Sequence, residues 1–237
     1  MLDIIKTGGI KEYLADLLYP NRCPFCDKFI EYNILCCEEC FNKALWADDN
    51  ICMRCGKPFV KGCLCGEKEL YYDLCVPAAY YLDETKEAVL ALKYKKSVGA
   101  AELYGRVLRD RLTALELIDK IDAAVPVPMT KKQRFSRGYN QSERVARAVM
   151  KGTNIPVYPD MLIRKNVKVA QHKLDAKGRA AAVSGQYFAA KGRSLKGMTV
   201  ALVDDVLTTG STLSYCAYLL KEKLGAQTVI CIVCTTV

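Results

Sequence analysis

The sequence has few features that would mark a membrane or exported protein, and it lacks two common nucleotide-binding motifs. Its longest apolar stretches, such as Thr228 to Val237, are shorter than the roughly 18 residues that a membrane-spanning helix requires. Asp3, Lys6 and Lys11 interrupt the apolar segment that a secretory signal would need. The motifs G-x-x-x-x-G-K-[ST] and G-x-G-x-x-G are both absent. We therefore expect a cytoplasmic protein with no membrane insertion, and neither a Walker loop nor a dinucleotide fingerprint.

The chain is long enough for one good core and a smaller second module. It has 237 residues, of which 51% are apolar and 26% are charged. Ten of its 13 cysteines lie in residues 1–75, where nine Lys and Arg face twelve Asp and Glu. Residues 76–237 carry 26 Lys and Arg against 14 Asp and Glu. This break predicts two domains, 1–75 and 76–237.

Acidic residues are scarce in one long segment. Residues 126–196 contain 16 Lys and Arg but only three acidic residues, Glu143, Asp160 and Asp175. A surplus this local favours an anionic partner such as phosphate, pyrophosphate or nucleic acid. The alternative is a solvated basic face, which is what most charge runs are.

Strand and helix patterns alternate after Cys75, which favours a mostly parallel α/β sheet covered by helices on both faces. The predicted strands are nearly continuous apolar runs, and the predicted helices have apolar residues at helical spacing. The predicted strands are Leu74–Leu82, Ala123–Pro128, Thr199–Val203 and Thr228–Val233, with a weak signal at Val183–Ala189. The predicted helices are Ile10–Leu18, Glu84–Lys93, Ala100–Leu117, Gln141–Lys151 and Thr212–Leu224.

The N-terminal cysteines have the spacing of structural zinc sites. Nothing in the sequence exports the chain, so metal ligation or inert burial is favoured over disulfides. Pairs separated by two residues let neighbouring thiolates meet one tetrahedral ion. We expect one site from Cys23, Cys26, Cys37 and Cys40 and a second from Cys52, Cys55, Cys63 and Cys65. The one-residue gap between Cys63 and Cys65 is tight, so Cys75 or Cys36 remain alternatives, as does interleaved ligation.

These zinc ions would fold the module rather than catalyse a reaction, because four thiolates leave no open coordination position. The module's net negative charge argues against it as the main surface for a polyanion. Its aromatic residues are expected to form a small core. They are Phe25, Phe29, Phe41 and Trp46.

The most informative segment runs from Thr199 to Leu213. It combines an apolar strand, two adjacent carboxylates (Asp204 and Asp205), a hydroxyl-rich loop with one glycine, and a helix start. Backbone amides of such a loop converge on a phosphate at the helix N-terminus. The carboxylates suit ribose hydroxyls, either directly or through Mg²⁺. The pattern predicts a ribose 5-phosphate site; the structural alternative is that Thr-Gly-Ser-Thr is an ordinary helix cap. The predicted phosphate-binding residues are Thr208, Thr209, Gly210, Ser211 and Thr212.

This loop resembles the phosphoribosyl-pyrophosphate loop of type I phosphoribosyltransferases, and the whole chain resembles the ComF family of competence-associated proteins. The resemblance extends from Cys23 nearly to the end of the sequence. It is carried by the cysteine pairs of Cys23–Cys65, by Leu92-Lys93-Tyr94, Val125-Pro126-Val127-Pro128 and Arg137-Gly138-Tyr139-Asn140-Gln141, by Gln171, Leu174 and Arg179, and by V-D-D-V-L-T-T-G-S-T.

The resemblance implies a type I phosphoribosyltransferase-like fold with a small N-terminal zinc module of four-cysteine sites. It also implies phosphoribosyl pyrophosphate with Mg²⁺ as ligand and Asp204 and Asp205 as the catalytic carboxylates. The loop Met129–Gly138 would contact pyrophosphate, and Arg164–Arg179 would be a mobile loop over the substrate. The cations expected to bind substrate are Lys132, Arg134, Arg137 and Arg179. The single histidine, His172, is a weak candidate for a general base.

Three functional hypotheses follow. The first is a ComF-like protein that binds phosphoribosyl pyrophosphate and supports DNA uptake in natural transformation, with single-stranded DNA and DNA-uptake proteins as partners. The second is a metabolic phosphoribosyltransferase that acts on a base or amine. The third is a non-catalytic adaptor that senses the ligand. Whether transfer is catalysed stays open in all three.

Overall fold

The computed structural model describes residues 20–59, 62–66, 69–95, 97–166 and 185–237. The predicted helix Ile10–Leu18 lies outside these residues. So do Arg179, His172 and all of the predicted mobile loop beyond Asn166.

A four-stranded parallel sheet forms the centre of the molecule. Its strands are β1 (Leu74–Tyr80), β2 (Ala123–Pro126), β5 (Thr199–Leu207) and β6 (Thr228–Thr236), in the order β1-β6-β5-β2. The register pairs Leu74 with Ile230 and Ala123 with Val200. A separate antiparallel pair, β3 (Leu162–Arg164) and β4 (Tyr187–Ala189), lies beside it. The expected α/β fold is confirmed.

Both faces of the sheet are buried, as the continuous apolar strands predict. Because successive side chains of a strand point to opposite faces, β6 sends Ile230 and Ile232 to one core cluster and Cys231 and Val233 to the other. We call the face of the sheet that carries Ile230 face A, and the face that carries Cys231 face B.

Helices cover the two faces unequally. The α-helices of the described residues are α1 (Glu38–Lys43), α2 (Asp83–Tyr94), α3 (Val98–Ala114), α4 (Lys131–Arg137), α5 (Gln141–Val149) and α6 (Ser211–Tyr218), with a π-helical turn at Leu219–Lys223. Face A packs against α2, α3 and α5, whereas face B packs against α6, the π-helical turn that follows it, and the β3–β4 pair.

Two predictions at the carboxyl edge of the sheet were wrong in detail. The loop expected at Met129–Gly138 contains helix α4, which begins after a capping box in which Thr130 and Gln133 bond reciprocally. Strand β5 extends to Leu207, so Asp204 and Asp205 lie within the strand rather than after it. The carboxylates therefore have fixed backbone positions in the sheet.

The division into domains 1–75 and 76–237 stays a prediction; β1 runs across that position. Among the described residues, no helix is long and apolar enough to cross a membrane.

Candidate functional site

The eight expected zinc ligands form two separate clusters. In each, the four Sγ atoms lie within 4.8 Å of one another. Cys37 Sγ is 3.7 Å from Cys23 Sγ and 3.8 Å from Cys26 Sγ. In the second cluster, the Sγ of Cys52 lies 3.5 Å from that of Cys63 and 3.8 Å from that of Cys65. A tetrahedral zinc ion with Zn–S bonds of about 2.3 Å requires sulfur atoms about 3.8 Å apart.

These distances fit a tetrahedral zinc ion. The first four of the eight ligands form one cluster and the last four form the other, so ligation of the two sites is not interleaved. Within the described residues, the alternative ligands Cys36 and Cys75 are outside both clusters and are buried. We call residues 20–46, around the first cluster, the first ribbon, and residues 50–66, around the second cluster, the second ribbon. Both are structural sites, since four thiolates saturate the ion.

The aromatic core predicted for the cysteine module is only partly confirmed. Trp46 packs against Phe41 and Phe25, with ring centroids 5.0 and 6.2 Å away. Phe29 is instead 64% exposed and lies under the guanidinium of Arg22. This core belongs to the first ribbon alone.

The hydroxyl-rich loop lies where β5 ends and α6 begins. Gly210 precedes α6 with φ of +74°, a left-handed conformation that a glycine adopts without strain. It has no side chain to cap the helix, so the first amides of α6 are available to a ligand. Thr208 and Thr209 are exposed, and Thr209 Oγ1 lies 3.1 Å from Ser211 Oγ.

Asp204 and Asp205 are held from the first turn of α5. Ser142 Oγ donates to Asp204 Oδ1 at 3.0 Å, and Gln141 Nε2 donates to Asp205 Oδ2 at 3.0 Å. Asn140 caps α5 by accepting from Ser142 N. The positive end of α5 thus faces both carboxylates. Lys93 Nζ pairs with Asp205 Oδ2 at 3.3 Å.

The environment of Asp204 favours its protonated form. Desolvation by the surrounding protein, reinforced by the adjacent Asp205 carboxylate, raises the pKa of Asp204 to about 7. A cation or sugar hydroxyl near this pair would oppose that shift, because it stabilises the ionised carboxylate.

A cleft of about 230 Å³ joins these groups. It contains both carboxylates, Thr212 from the phosphate loop, and three cationic side chains, Lys93, Arg137 and Arg164. Arg164 donates to Gln186 Oε1, and its buried Nε has no hydrogen-bond partner among the described residues. Such a cation beside two carboxylates suits a ligand with separate anionic and hydroxyl groups.

The predicted site residues are only partly brought together. Asp204, Asp205, Thr212 and Arg137 line the cleft. Lys132 lines an adjoining hollow that shares Lys93 and Arg137 with the cleft. Arg134 is exposed and pairs with Glu143 at 3.6 Å. Thr208, Thr209, Gly210 and Ser211 lie beside the cleft on the loop, and Arg179 lies outside the described residues.

Arg164 was expected at the start of a mobile loop over the substrate, but it lies in strand β3 and lines the cleft. Tyr187 was not predicted as a cleft residue. They come together because β3 and β4 pair with Arg164 opposite Tyr187. Gln141 and Ser142 were expected only near a helix start, whereas their side chains hold the carboxylates. Lys93 belongs to the motif Leu92-Lys93-Tyr94, and its side chain pairs with Asp205.

Comparison with known families assigns both parts of the chain. Residues 14–69 match the double zinc ribbon domain, and residues 111–236 match the phosphoribosyl transferase domain. The second match spans more than half of the sequence. The chain belongs to the phosphoribosyl transferase domain family. Together the two matches confirm a phosphoribosyltransferase-like fold with an N-terminal zinc module.

Curated relatives of this family member confirm its resemblance to ComF proteins. It is 28% identical to competence protein ComFC of Bacillus subtilis (strain 168), over 81% of this chain and 80% of that protein. It is 26% identical to DNA utilization protein YhgH of Escherichia coli (strain K12), over 84% and 90% respectively. Competence protein F of Haemophilus influenzae is 28% identical over 69% and 72%.

Among solved structures, a purine phosphoribosyltransferase from Pyrococcus horikoshii Ot3 matches with 19% identity and a TM-score of 0.33. The match covers 57% of this chain and 82% of that one.

Proposed function

We propose that the cleft binds phosphoribosyl pyrophosphate with Mg²⁺, and that the protein uses this ligand in a competence-related role in DNA uptake. One observation supports the ligand most strongly. The two strand carboxylates, the glycine-initiated helix α6 and three cations are arranged around a single cleft. This combination matches the three chemical parts of the ligand, which are a 5-phosphate, a ribose and a pyrophosphate.

Each part of the ligand has a complementary group. The 5-phosphate is received by the amides and hydroxyls of residues 208–212. The ribose hydroxyls are accepted by Asp204 and Asp205, which Ser142 and Gln141 orient. The pyrophosphate lies toward Lys93, Arg137 and Arg164. Arg134 joins them only if it leaves its pair with Glu143.

If transfer is catalysed, the work of this chain is mainly positioning. The fixed carboxylates and the phosphate loop hold the ribose still while the bond from C1 to pyrophosphate breaks. The cations neutralise charge that develops on the departing group. Mg²⁺ supplies further neutralisation when it is bound with the substrate.

A thermal-shift experiment tests the ligand. Saturating phosphoribosyl pyrophosphate with Mg²⁺, at about 100 times its dissociation constant, should raise the melting temperature by about 5–10 °C. The double variant Asp205→Asn with Thr209→Ala should lose this shift and keep a nearly unchanged ligand-free melting temperature. Asp122→Asn is the control, because Asp122 is exposed at the opposite end of β5, where it accepts from Thr199 N. An undiminished shift in the double variant would remove the phosphate-loop assignment.

The competence-related role is supported by the relatives named for competence and DNA utilization. A surface beside the cleft also suits single-stranded DNA. Phe135 is 94% exposed and Tyr94 is 67% exposed. The Arg137 guanidinium is 5.3 Å from the Tyr94 ring centroid, and Lys132 lines the same hollow as Tyr94. Phe135 lies outside that hollow, on helix α4, where Arg134 precedes it in the sequence. Single-strand binders combine such exposed rings with positive charge.

The DNA hypothesis is tested by fluorescence anisotropy with a labelled thymidine oligonucleotide. Phe135→Ala should weaken binding about tenfold, since stacking contributes roughly 1–3 kcal/mol per base. Phe59→Ala is the matched control, because Phe59 is 57% exposed on the second ribbon, away from this surface. Affinity should also fall steeply with salt. A flat salt response, or equal losses in the two variants, would reject DNA binding at this surface.

A further inference from the structure

The second ribbon packs directly against the phosphate loop. A Cβ atom placed on Gly210 would lie 3.3 Å from the hydroxyl of Tyr72 and 3.5 Å from Cδ1 of Leu64. Leu64 stands between Cys63 and Cys65, two ligands of the second metal site. The glycine that begins α6 therefore rests on the metal-binding segment itself.

Tyr72 connects the same two parts by a hydrogen bond. Its side chain is completely buried, and its hydroxyl donates to the backbone oxygen of Cys55 at 3.2 Å. Cys55 is another ligand of the second site. The hydroxyl of Tyr72 thus bonds a zinc-ligating residue and also lies against Gly210 of the phosphate loop.

Further contacts join the second ribbon, and Tyr71 beyond its end, to both flanks of the loop. Before the loop, a Cβ on Gly56 would lie 2.8 Å from Leu207 Cδ2, so the ribbon backbone touches the last residue of β5. After the loop, Ser214 of α6 accepts from the amide of Tyr71 at 3.2 Å. Lys57 Nζ donates to Val237 O at 2.6 Å, and Val237 N donates to Leu207 O at 3.1 Å.

The first ribbon makes its contacts elsewhere. Its residues pack on face A, and Ala47 beside it donates from its amide to Ala78 O at 2.8 Å. Tyr80 N donates to Leu45 O at 2.9 Å. These bonds attach the first ribbon to β1, at the edge of the sheet, rather than to the phosphate loop.

We infer that the second zinc site, acting through Tyr72, holds the phosphate loop in its ligand-binding conformation, whereas the first zinc site does not. Tyr72 is a positioning residue. This inference rests on the proposed binding of phosphoribosyl pyrophosphate. Affinity for that ligand then depends on metal at the second site. By reciprocity of coupled equilibria, bound ligand retains that metal more tightly.

A pair of conservative variants isolates the tyrosine hydroxyl. Tyr72→Phe should weaken binding of phosphoribosyl pyrophosphate with Mg²⁺ about fivefold in calorimetry, because a buried hydrogen bond that positions the loop is lost. Tyr104→Phe is matched to it, since Tyr104 is equally buried and donates to Thr85 O at 2.9 Å on face A. The control should change affinity less than twofold while losing comparable thermal stability. Wild-type affinity in Tyr72→Phe, or an equal loss in Tyr104→Phe, would overturn the coupling.

Metal release gives a second readout that is independent of any activity. Zinc transferred from the full-length protein to a chromophoric chelator should leave in two phases, one per site. Cys23→Ser and Cys63→Ser, each lacking one site, assign the phases. Phosphoribosyl pyrophosphate with Mg²⁺ should slow only the second-site phase, and inorganic pyrophosphate with Mg²⁺ controls for chelation by the ligand. Unchanged release from the second site, or equal slowing of both phases, would overturn the inference.

Failure of the coupling is distinguishable from failure of the proposed function. If the zinc-loaded wild-type protein gives no binding heat with the ligand, the proposed function fails. If it binds and neither Tyr72→Phe nor the second-site release responds, the coupling alone fails.

Discussion

The two ribbons have the same metal donors, but their buried cysteine ligands pack into different core clusters of one sheet. Each presents four thiolates at tetrahedral spacing. The first ribbon has its own aromatic core around Trp46 and attaches to β1. The second packs Cys55 into face B together with Tyr72 and Leu207, under the phosphate loop. Identical metal chemistry can thus serve a local fold at one site and a ligand-binding loop at the other, according to what each ribbon packs against.

The largest expected difference comes from removing one exposed ligand of each site. Cys26→Ser and Cys65→Ser should each lower the zinc content from about two ions to one per chain, because three thiolates hold the ion less tightly. Both variants lose folding free energy that the metal supplied. Only Cys65→Ser should weaken ligand binding by more than about tenfold, a coupling of roughly 1.4 kcal/mol. Equal affinity losses, measured by calorimetry beside metal analysis, would erase the distinction between the ribbons.

Two glycines allow the same comparison without touching a metal ligand. A Cβ on Gly56 would lie 2.5 Å from Cys75 Sγ at φ of +75°, and one on Gly105 would lie 2.4 Å from Ala148 Cβ between α3 and α5. Each alanine variant should lose about 1–3 kcal/mol of stability through overpacking, with added backbone strain at Gly56. Gly56→Ala should also weaken ligand binding, whereas Gly105→Ala should not. Denaturant melts with calorimetry check both, and loss of affinity in Gly105→Ala would contradict the assignment of the loop to face B.

Folding stability should depend on pH through Asp204 at the carboxyl end of β5, and not through Asp122 at the opposite end of that strand. Because the pKa of Asp204 is raised to about 7 in the folded protein, the native state holds a proton that the unfolded chain has already released. Ligand-free wild type should therefore lose stability as pH rises from about 4 to 7. Asp204→Asn should melt higher than wild type at pH 8, with a difference that shrinks toward pH 5. Asp122→Asn, at the other end of β5, is the control; a constant difference for Asp204→Asn would contradict the raised pKa.

The smallest loss of unfolding free energy is expected when one partner of an ion pair is removed, and two such pairs can be compared. Lys221 of the π-helical turn, on face B, contacts Asp73 at 2.6 Å, and Asp73 also accepts from Val229 N at 2.8 Å. Lys43 and Glu39 of the first ribbon form an exposed pair at 2.7 Å. Lys221→Met should cost about 1 kcal/mol of unfolding free energy, and Lys43→Met should cost less, since solvent screens the exposed pair. Denaturant melts in low and high salt measure both, and a larger loss for Lys43→Met would reverse the ranking.

Local patterns in the sequence predicted much of this organisation. The two-residue spacing predicted three of the four cysteine pairs, whereas the tighter Cys63–Cys65 pair left Cys75 and Cys36 as alternatives until the structure showed the second cluster. The apolar runs predicted the parallel strands. Helix α4 was missed because none of its residues is buried, so it has no apolar periodicity. Its start was nevertheless encoded by Thr130 and Gln133, which have the spacing of a capping box.

Contacts between distant segments could not be predicted in this way. Arg164 reaches the cleft only because β3 pairs with β4, more than twenty residues away. Tyr72 meets Gly210 only because the sheet brings β1 and β5 to either side of β6. Nothing in the local sequence around Tyr72 marks it as part of the site, since its role follows from tertiary packing.

The most direct test of the whole account is a calorimetric titration of phosphoribosyl pyrophosphate with Mg²⁺ into zinc-loaded wild-type protein. Released pyrophosphate is assayed in the same sample, with and without single-stranded DNA. We predict binding with a stoichiometry of one ligand per chain and a micromolar dissociation constant. Pyrophosphate release would then show whether transfer accompanies binding. Absence of binding heat from protein that carries both zinc ions would contradict the central claim that the cleft is built for this ligand.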